Sequence, residues 1–195
     1  MSRVLIACEF SGIIRDAFKA RGHNAWSCDL LPTERPGQHI QDDVLKHLNE
    51  EWDMMIAHPP CTYLTVSANR WYKDQPPRKS EVLVGIARRI ARERAINFFI
   101  KLAEAKINKI CLENPVGIMS TVFGKPDQII QPYQFGHGET KSTCLWLKNL
   151  PKLMPTEIVS GREHRIWKMP PSPNRSKERS LTYIGIAKAM ASQWG

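Results

Sequence analysis

The chain has 195 residues, 42% hydrophobic and 24% charged, a composition that suits one globular domain with a real core. Its net charge of +9, from 28 Lys and Arg against 19 Asp and Glu, favours a polyanionic partner, nucleic acid first. No apolar run reaches the length of a membrane span, and residues 1–10 lack the layout of a secretory signal. Five cysteines without a CxxC pair argue against a zinc ribbon and a disulfide framework. A cytoplasmic setting with reduced thiols, no bound metal and no membrane is therefore expected.

In chain order, "RVLIAC" is a short β-branched apolar run, the mark of a buried strand. "EFSGIIRDAFKARGHN" supplies a small-residue turn, a helix with Ile14, Ala17 and Phe18 on one side, and a stop at Gly22. "AWSCDLLP" reads as a second strand ending at Asp29, "DDVLKHLNEEW" as a short helix, and "DMMIAH" as another buried strand. A long helix is expected from about Ser80 to Ala105, followed by strands at "KICLEN" and "STCLWL" and a closing helix in "SLTYIGIAKAMASQWG". Strands alternating with helices predict an α/β fold around a mostly parallel sheet. Ligands of such sheets sit beyond the carboxyl ends of the strands. Polar residues collect at those ends: Glu9 and Ser11, Asp29, residues 58–61, and Glu113 with Asn114.

Three of these strand ends carry chemistry. In "ACEFSG" a strand, a glycine turn and a helix start suit a nucleotide-like ligand, and Asp29, about twenty residues on, would accept from ribose hydroxyls. Gly12 stands there without a GxGxxG pattern, so a plain tight turn with a helix cap is the competing reading. In "HPPCTYL" two prolines stiffen the loop that presents Cys61, which is either a small packed residue or a nucleophile. The other four cysteines lie in apolar runs, where a thiol behaves as a small hydrophobe. In "CLENPVG" Glu113 ends a buried strand, a costly place for a carboxylate without a partner or a task. The plainer alternative is a solvated carboxylate capping the next turn.

Together, and in this order over nearly the whole chain, these motifs resemble the cytosine-C5 DNA methyltransferase family, most closely its small phage and prophage members. "HPPCTYL" resembles the family's proline-proline-cysteine loop, "LENPVG" its glutamate-asparagine motif, and "CEFSG" a reduced form of its cofactor motif. "YQFGHGETKSTCLWL" and "IGIAKAMASQW" are similar to the motif that follows and to the closing helix. The resemblance implies a Rossmann-like, doubly wound α/β sheet with helices on both faces, the S-adenosylmethionine-dependent methyltransferase fold. It implies a single catalytic domain over residues 1–195 without a separate target-recognition domain, a loop-rich stretch at about 150–178, and a closing helix at 180–194. The implied cofactor is S-adenosyl-L-methionine, held by Glu9, Phe10, Ser11, Gly12, Asp29, Leu30, Asp43 and Pro59. The implied catalytic residues are Cys61, Glu113 and Asn114. DNA is the implied partner, met by Ser67, Asn69, Arg70, Trp71, Lys73, Lys141 and Thr143.

The residue types fit that chemistry. A Cys61 thiolate would add to carbon 6 of cytosine, and Glu113 would hydrogen-bond or protonate N3 as charge develops. Asn114 would orient the loop or the base. The base must leave the stack or come from a single strand, and the basic, aromatic segment "SANRWYKDQPPRKS" suits closure over a strand. Arg88, Arg89, Arg92 and Arg94 either extend that surface or form an ordinary solvated face.

Departures from the family pattern are equally specific. Ile14 and Arg15 stand where the family has glycines, and Glu139, Lys141 and Thr143 where it has a glutamine and two arginines. Thr143 lacks the charge and donor fork of arginine, which leaves Lys141 or Arg70 as the cation near the base. A non-catalytic DNA-binding relative, and the same chemistry on RNA or a free pyrimidine nucleotide, are the alternative readings. Single-stranded DNA, or DNA read with little sequence preference, fits the expected lack of a recognition domain.

Overall fold

The computed structural model describes residues 1–77, 82–172 and 174–195. Seven strands form one sheet: β1 (Arg3–Ala7), β2 (Asn24–Asp29), β3 (His39–Gln41), β4 (Met54–Ala57), β5 (Lys109–Pro115), β6 (Gln128–Ile130) and β7 (Thr143–Lys148). Their order is β3-β2-β1-β4-β5-β7-β6. The first five in that order run parallel, and β7 is antiparallel to both β5 and β6. The order reverses between β1 and β4, so a crevice opens at the carboxyl ends of these two strands.

The apolar runs of β1 and β4 follow from cover on both faces. Leu5, Ala7, Met55 and Ala57 pack with Phe99 and Leu102 of helix α2 (Gly85–Ala103). Val4, Ile6, Met54 and Ile56 pack with Ile14 and Phe18 of α1 (Ile13–Lys19), and with Met190 and Trp194 at the carboxyl end of the chain. This is the doubly wound, mostly parallel α/β sheet expected from the sequence.

Short helices α3 (Met119–Val122), α4 (Arg165–Lys168) and α5 (Arg175–Ser180) precede the closing helix α6 (Ile184–Trp194). No described helix is long and apolar enough to cross a membrane.

Two expectations are corrected, and two edge strands are added. The helix expected in "DDVLKHLNEEW" is a single 3-10 turn, Val44–Lys46. Asp43 caps that turn, its Oδ1 accepting from Leu45 N–H, and Asp42 Oδ1 accepts from Asp43 N–H. Strands β3 and β6, each three residues at an edge of the sheet, are too short to show a period. The long helix begins at Gly85, and its expected start at Ser80 lies outside the described residues.

Candidate active site

Parallel pairing of β4 with β5 sets Ala57 beside Leu112, which brings the next residues, His58 and Glu113, side by side at the carboxyl edge. Their side chains are 12% and 13% exposed, and His58 Nδ1 lies 2.5 Å from Glu113 Oε2. Burial raises the cost of ionising Glu113, but the His58 hydrogen bond and charge, with Lys141 behind them, hold its carboxyl below the usual value. Glu113 is thus a partnered, buried anion at neutral pH, not a solvated cap. Asn114 is buried, and its Nδ2 donates to Pro59 O at 2.7 Å. The amide therefore secures the proline-cysteine loop.

Cys61 is exposed at the head of that loop, and its carbonyl accepts from Leu64 and Thr65 N–H. The loop pairs with the segment after Asn114. Ile118 N–H donates to Leu64 O, Val66 N–H donates to Val116 O, and Thr65 bridges to Gly117. The Cys61 loop and the Glu113 strand are one hydrogen-bonded unit.

Arg88, Arg89 and Arg92 reinforce this unit. Arg88 is 4% exposed; its guanidinium donates to Thr62 O and Leu83 O and lies over the rings of Tyr63 and Tyr72. Arg89 bonds Tyr72 O and Asp74. Arg92 stacks on Tyr72 and donates to Tyr63 O and Asn69. Arg89 and Arg94 are exposed on the helix face, whereas Arg92 is half-buried. These guanidinium groups supply donors to carbonyls of the segment after Cys61, of which Tyr63 O also accepts from the Tyr72 hydroxyl.

The residues expected to hold a cofactor converge. Glu9, Phe10, Ser11 and Gly12 follow β1, Asp29 and Leu30 end β2, Asp43 follows β3, and Pro59 follows β4, four adjacent parallel strands. Glu9 is buried. Its Oε1 accepts from Ile14 N–H and Ser11 Oγ–H, and Oε2 accepts from Arg15 N–H, so it caps α1. Asp29 Oδ1 accepts from Leu31 N–H and Asp43 Oδ1 from Leu45 N–H. The second oxygen of each takes no hydrogen bond among the described residues. Leu30 is 72% exposed beside Asp29.

Arg15 does not enter this crevice. Wholly buried, it donates to Ser27, Thr33 and the carbonyls of Arg35 and Pro36, and so stitches the loop after β2 to α1. Gly12, at φ +70, leaves it room: a Cβ there would lie 2.5 Å from its Nη2.

Ser67, Asn69, Arg70, Trp71 and Lys73 lie on or just after the 3-10 helix Val66–Tyr72, with Arg70 over the Trp71 ring. Arg78, Lys79 and Ser80 of the same basic segment lie outside the described residues. Lys141 and Thr143 stand at the start of β7 and share a small recess with Glu113 and Tyr183. Loss of bulk water and the charge of Glu113 push the Cys61 thiol up, against the pull of Lys141 and Arg179, although the residue as a whole stays exposed. Two members of this site do not stand out in the sequence. His58 enters there only as part of a strand end, and Arg179 falls in α5, within a stretch that reads as a loop.

A direct consequence concerns thiol reactivity. Cys61 is expected to be the fastest cysteine towards iodoacetamide, because Cys28, Cys111 and Cys144 are buried and burial pushes Cys28 up to about 11. Its alkylation midpoint should lie above that of an ordinary thiol. Lys141→Ala should move it higher still, since a charge that favours the thiolate is removed. Peptide mapping across a pH series reads both; a midpoint lowered by Lys141→Ala would contradict the geometry.

The sheet and its strand-end site define a Rossmann-like, doubly wound α/β domain. No family model matches the chain, and no curated protein sequence matches it. Among solved structures it is similar to a prophage-encoded E. coli protein described as a DNA modification methyltransferase, at 15% identity and TM-score 0.49, over 82% of this chain and 52% of that one. It is also similar to the S. pombe Dnmt2 methyltransferase, at 14% identity and TM-score 0.46, over 86% and 53% of the two chains. A Spodoptera frugiperda DNMT2 variant gives 12% identity and TM-score 0.44, over 84% and 55%. The chain spans about half the length of each.

Proposed function

We propose that the protein transfers a methyl group from S-adenosyl-L-methionine to carbon 5 of cytosine in DNA through a covalent Cys61 adduct. The observation that carries this reading is the pairing of the Cys61 loop with the segment after Glu113, at the carboxyl edge of adjacent strands. The residues present fit the cofactor. Asp29 and Asp43 each keep a carboxylate oxygen for hydroxyl or amino donors, exposed Leu30 offers an apolar contact, and Phe10 follows the same edge. When bound, the cofactor supplies an electrophilic methyl group.

The chain's own groups do the rest. The Cys61 thiolate adds to carbon 6, forming a C–S bond and shifting electrons towards N3, which takes a proton that Glu113 has drawn from solvent and gives it back when the product leaves. Asn114 holds the loop by its bond to Pro59. After carbon 5 has taken the methyl group it loses its proton to solvent, the C–S electrons return to sulfur, and the double bond re-forms. Ser67, Asn69, Arg70, Trp71 and Lys73 would meet the strand around the target, with Lys141 supplying the cation that Thr143 lacks.

The test is transfer of label from S-adenosylmethionine to single- and double-stranded cytosine DNA, to RNA and to a free cytidine nucleotide. Label at carbon 5 of DNA cytosine and a denaturant-resistant complex with 5-fluorocytosine DNA are expected. DNA binding without transfer would point to a non-catalytic relative, and label only on RNA or nucleotide would move the substrate.

A further inference from the structure

The chemistry above leaves His58 unused. Its backbone N–H donates to Ala7 O at 3.0 Å, which pins the residue to β1. Its sole side-chain hydrogen bond among the described residues is to Glu113, and Nε2 is buried without a partner. An ionised carboxylate only accepts, so the hydrogen of this 2.5 Å contact sits on Nδ1. A buried carboxylate without such a donor would turn or take up a proton.

We propose that His58 is a positioning residue for Glu113: its Nδ1–H fixes one carboxylate oxygen and leaves the other for Lys141, Thr143 and the bound ring. The surroundings contain little that could replace it. Lys141 and Thr143 face Glu113 from the start of β7, Cys61 from the loop, and the buried thiols of Cys111 and Cys144 from β5 and β7. Arg179 of α5 acts on Cys61. Of these, Lys141 is the group whose charge also favours the Glu113 carboxylate, and its ammonium already donates to Leu181 O. The direction of the Glu113 shift, below the usual value despite burial, is what such a donor produces. As a role in catalysis this rests on the reading of Glu113 as the residue at N3.

The experiment follows the Glu113 carboxyl carbon by carbon-13 NMR through a pH titration of the full chain, in wild type, His58→Asn and His58→Phe. Asparagine keeps a donor close to the place of Nδ1 without the ring's ability to charge; phenylalanine keeps the shape alone. Wild type should titrate below an ordinary glutamate, His58→Phe about 1–3 units higher than wild type, and His58→Asn between them. If His58→Phe does not fold, the asparagine variant still decides the matter, and an unshifted Glu113 in a folded variant overturns the proposal. In parallel, methyl transfer by His58→Phe should fall about a hundredfold in kcat with KM for DNA unchanged, and His58→Asn should recover part of it. A shifted Glu113 in a protein whose wild type transfers nothing would sink the catalytic reading and leave the coupling intact. Transfer by wild type with an unshifted Glu113 would sink the coupling alone.

Discussion

Cys61→Ala is expected to lower methyl transfer by about four orders of magnitude or more while leaving the fold as stable as before. Loss of a nucleophile that forms the covalent intermediate is among the largest single-residue effects in catalysis. The structural effect should be small for an equally simple reason. Cys61 is exposed, its side chain is not hydrogen-bonded to another of the described residues, and the loop is held by its carbonyl, which alanine keeps. A surface truncation of this kind changes stability within about 0.5 kcal/mol, or roughly 1–2 °C in Tm for a chain of this size. Cys61→Ser should be equally inactive, because a hydroxyl beside the Glu113 carboxylate has no route to an alkoxide. Cys111→Ala and Cys144→Ala give the contrast: both thiols are fully buried in the core, so these variants should lose stability before activity. The measurements are label transfer, the 5-fluorocytosine complex and a thermal melt. A Cys61→Ala protein that still methylates DNA would end the covalent mechanism.

Much of this fold is legible in the sequence, and the reasons are local. β1, β4, β5 and β7 are apolar runs whose both faces are covered, so no surface alternation blurs them. β3 and β6 hold three residues each and have no period to read. The charges on α2 can be counted in the sequence, but their direction cannot. Nothing in "GIARRIARERA" says that the carbonyls of Thr62, Tyr63 and Tyr72 accept hydrogen bonds from three of its arginines. Arg15 likewise reads as an obstacle to a cofactor, since its partners, Ser27, Thr33, Arg35 and Pro36, become neighbours only once β2 and its loop fold over α1. His58 reads as an ordinary histidine before two prolines. Only the register of β4 on β5 puts it against Glu113, 55 residues away. Motifs carry identity along the chain, whereas register carries partnership, and partnership is what decides the charge of Glu113.

Gly117→Ala is expected to damage the same site without touching a reactive atom. A Cβ at Gly117 would lie 2.0 Å from Leu64 O and 3.1 Å from Thr65 Cα, which are backbone atoms that no side-chain rotation can clear. Relief requires the two loops to part, and that strains the Ile118 N–H to Leu64 O and Val66 N–H to Val116 O hydrogen bonds. Overpacking of this kind costs about 1–3 kcal/mol, and each hydrogen bond lost adds about 1 kcal/mol. Tm should fall by roughly 4–12 °C. The displacement reaches the chemistry directly, because the Leu64 and Thr65 N–H groups hold the Cys61 carbonyl and Gly117 lies shortly after Glu113. An ångström of misplacement between nucleophile and ring is worth about a hundredfold in kcat. Gly124→Ala separates this from plain instability. Gly124 sits at φ +128, and a Cβ there would meet nothing within 4 Å, so alanine strains the backbone alone, away from the loop pair. It should lower Tm and leave kcat near wild type at a temperature where both variants are folded. If instead both glycine variants lose activity in proportion to their loss of stability, the pairing of the two loops has no catalytic role beyond holding the fold together.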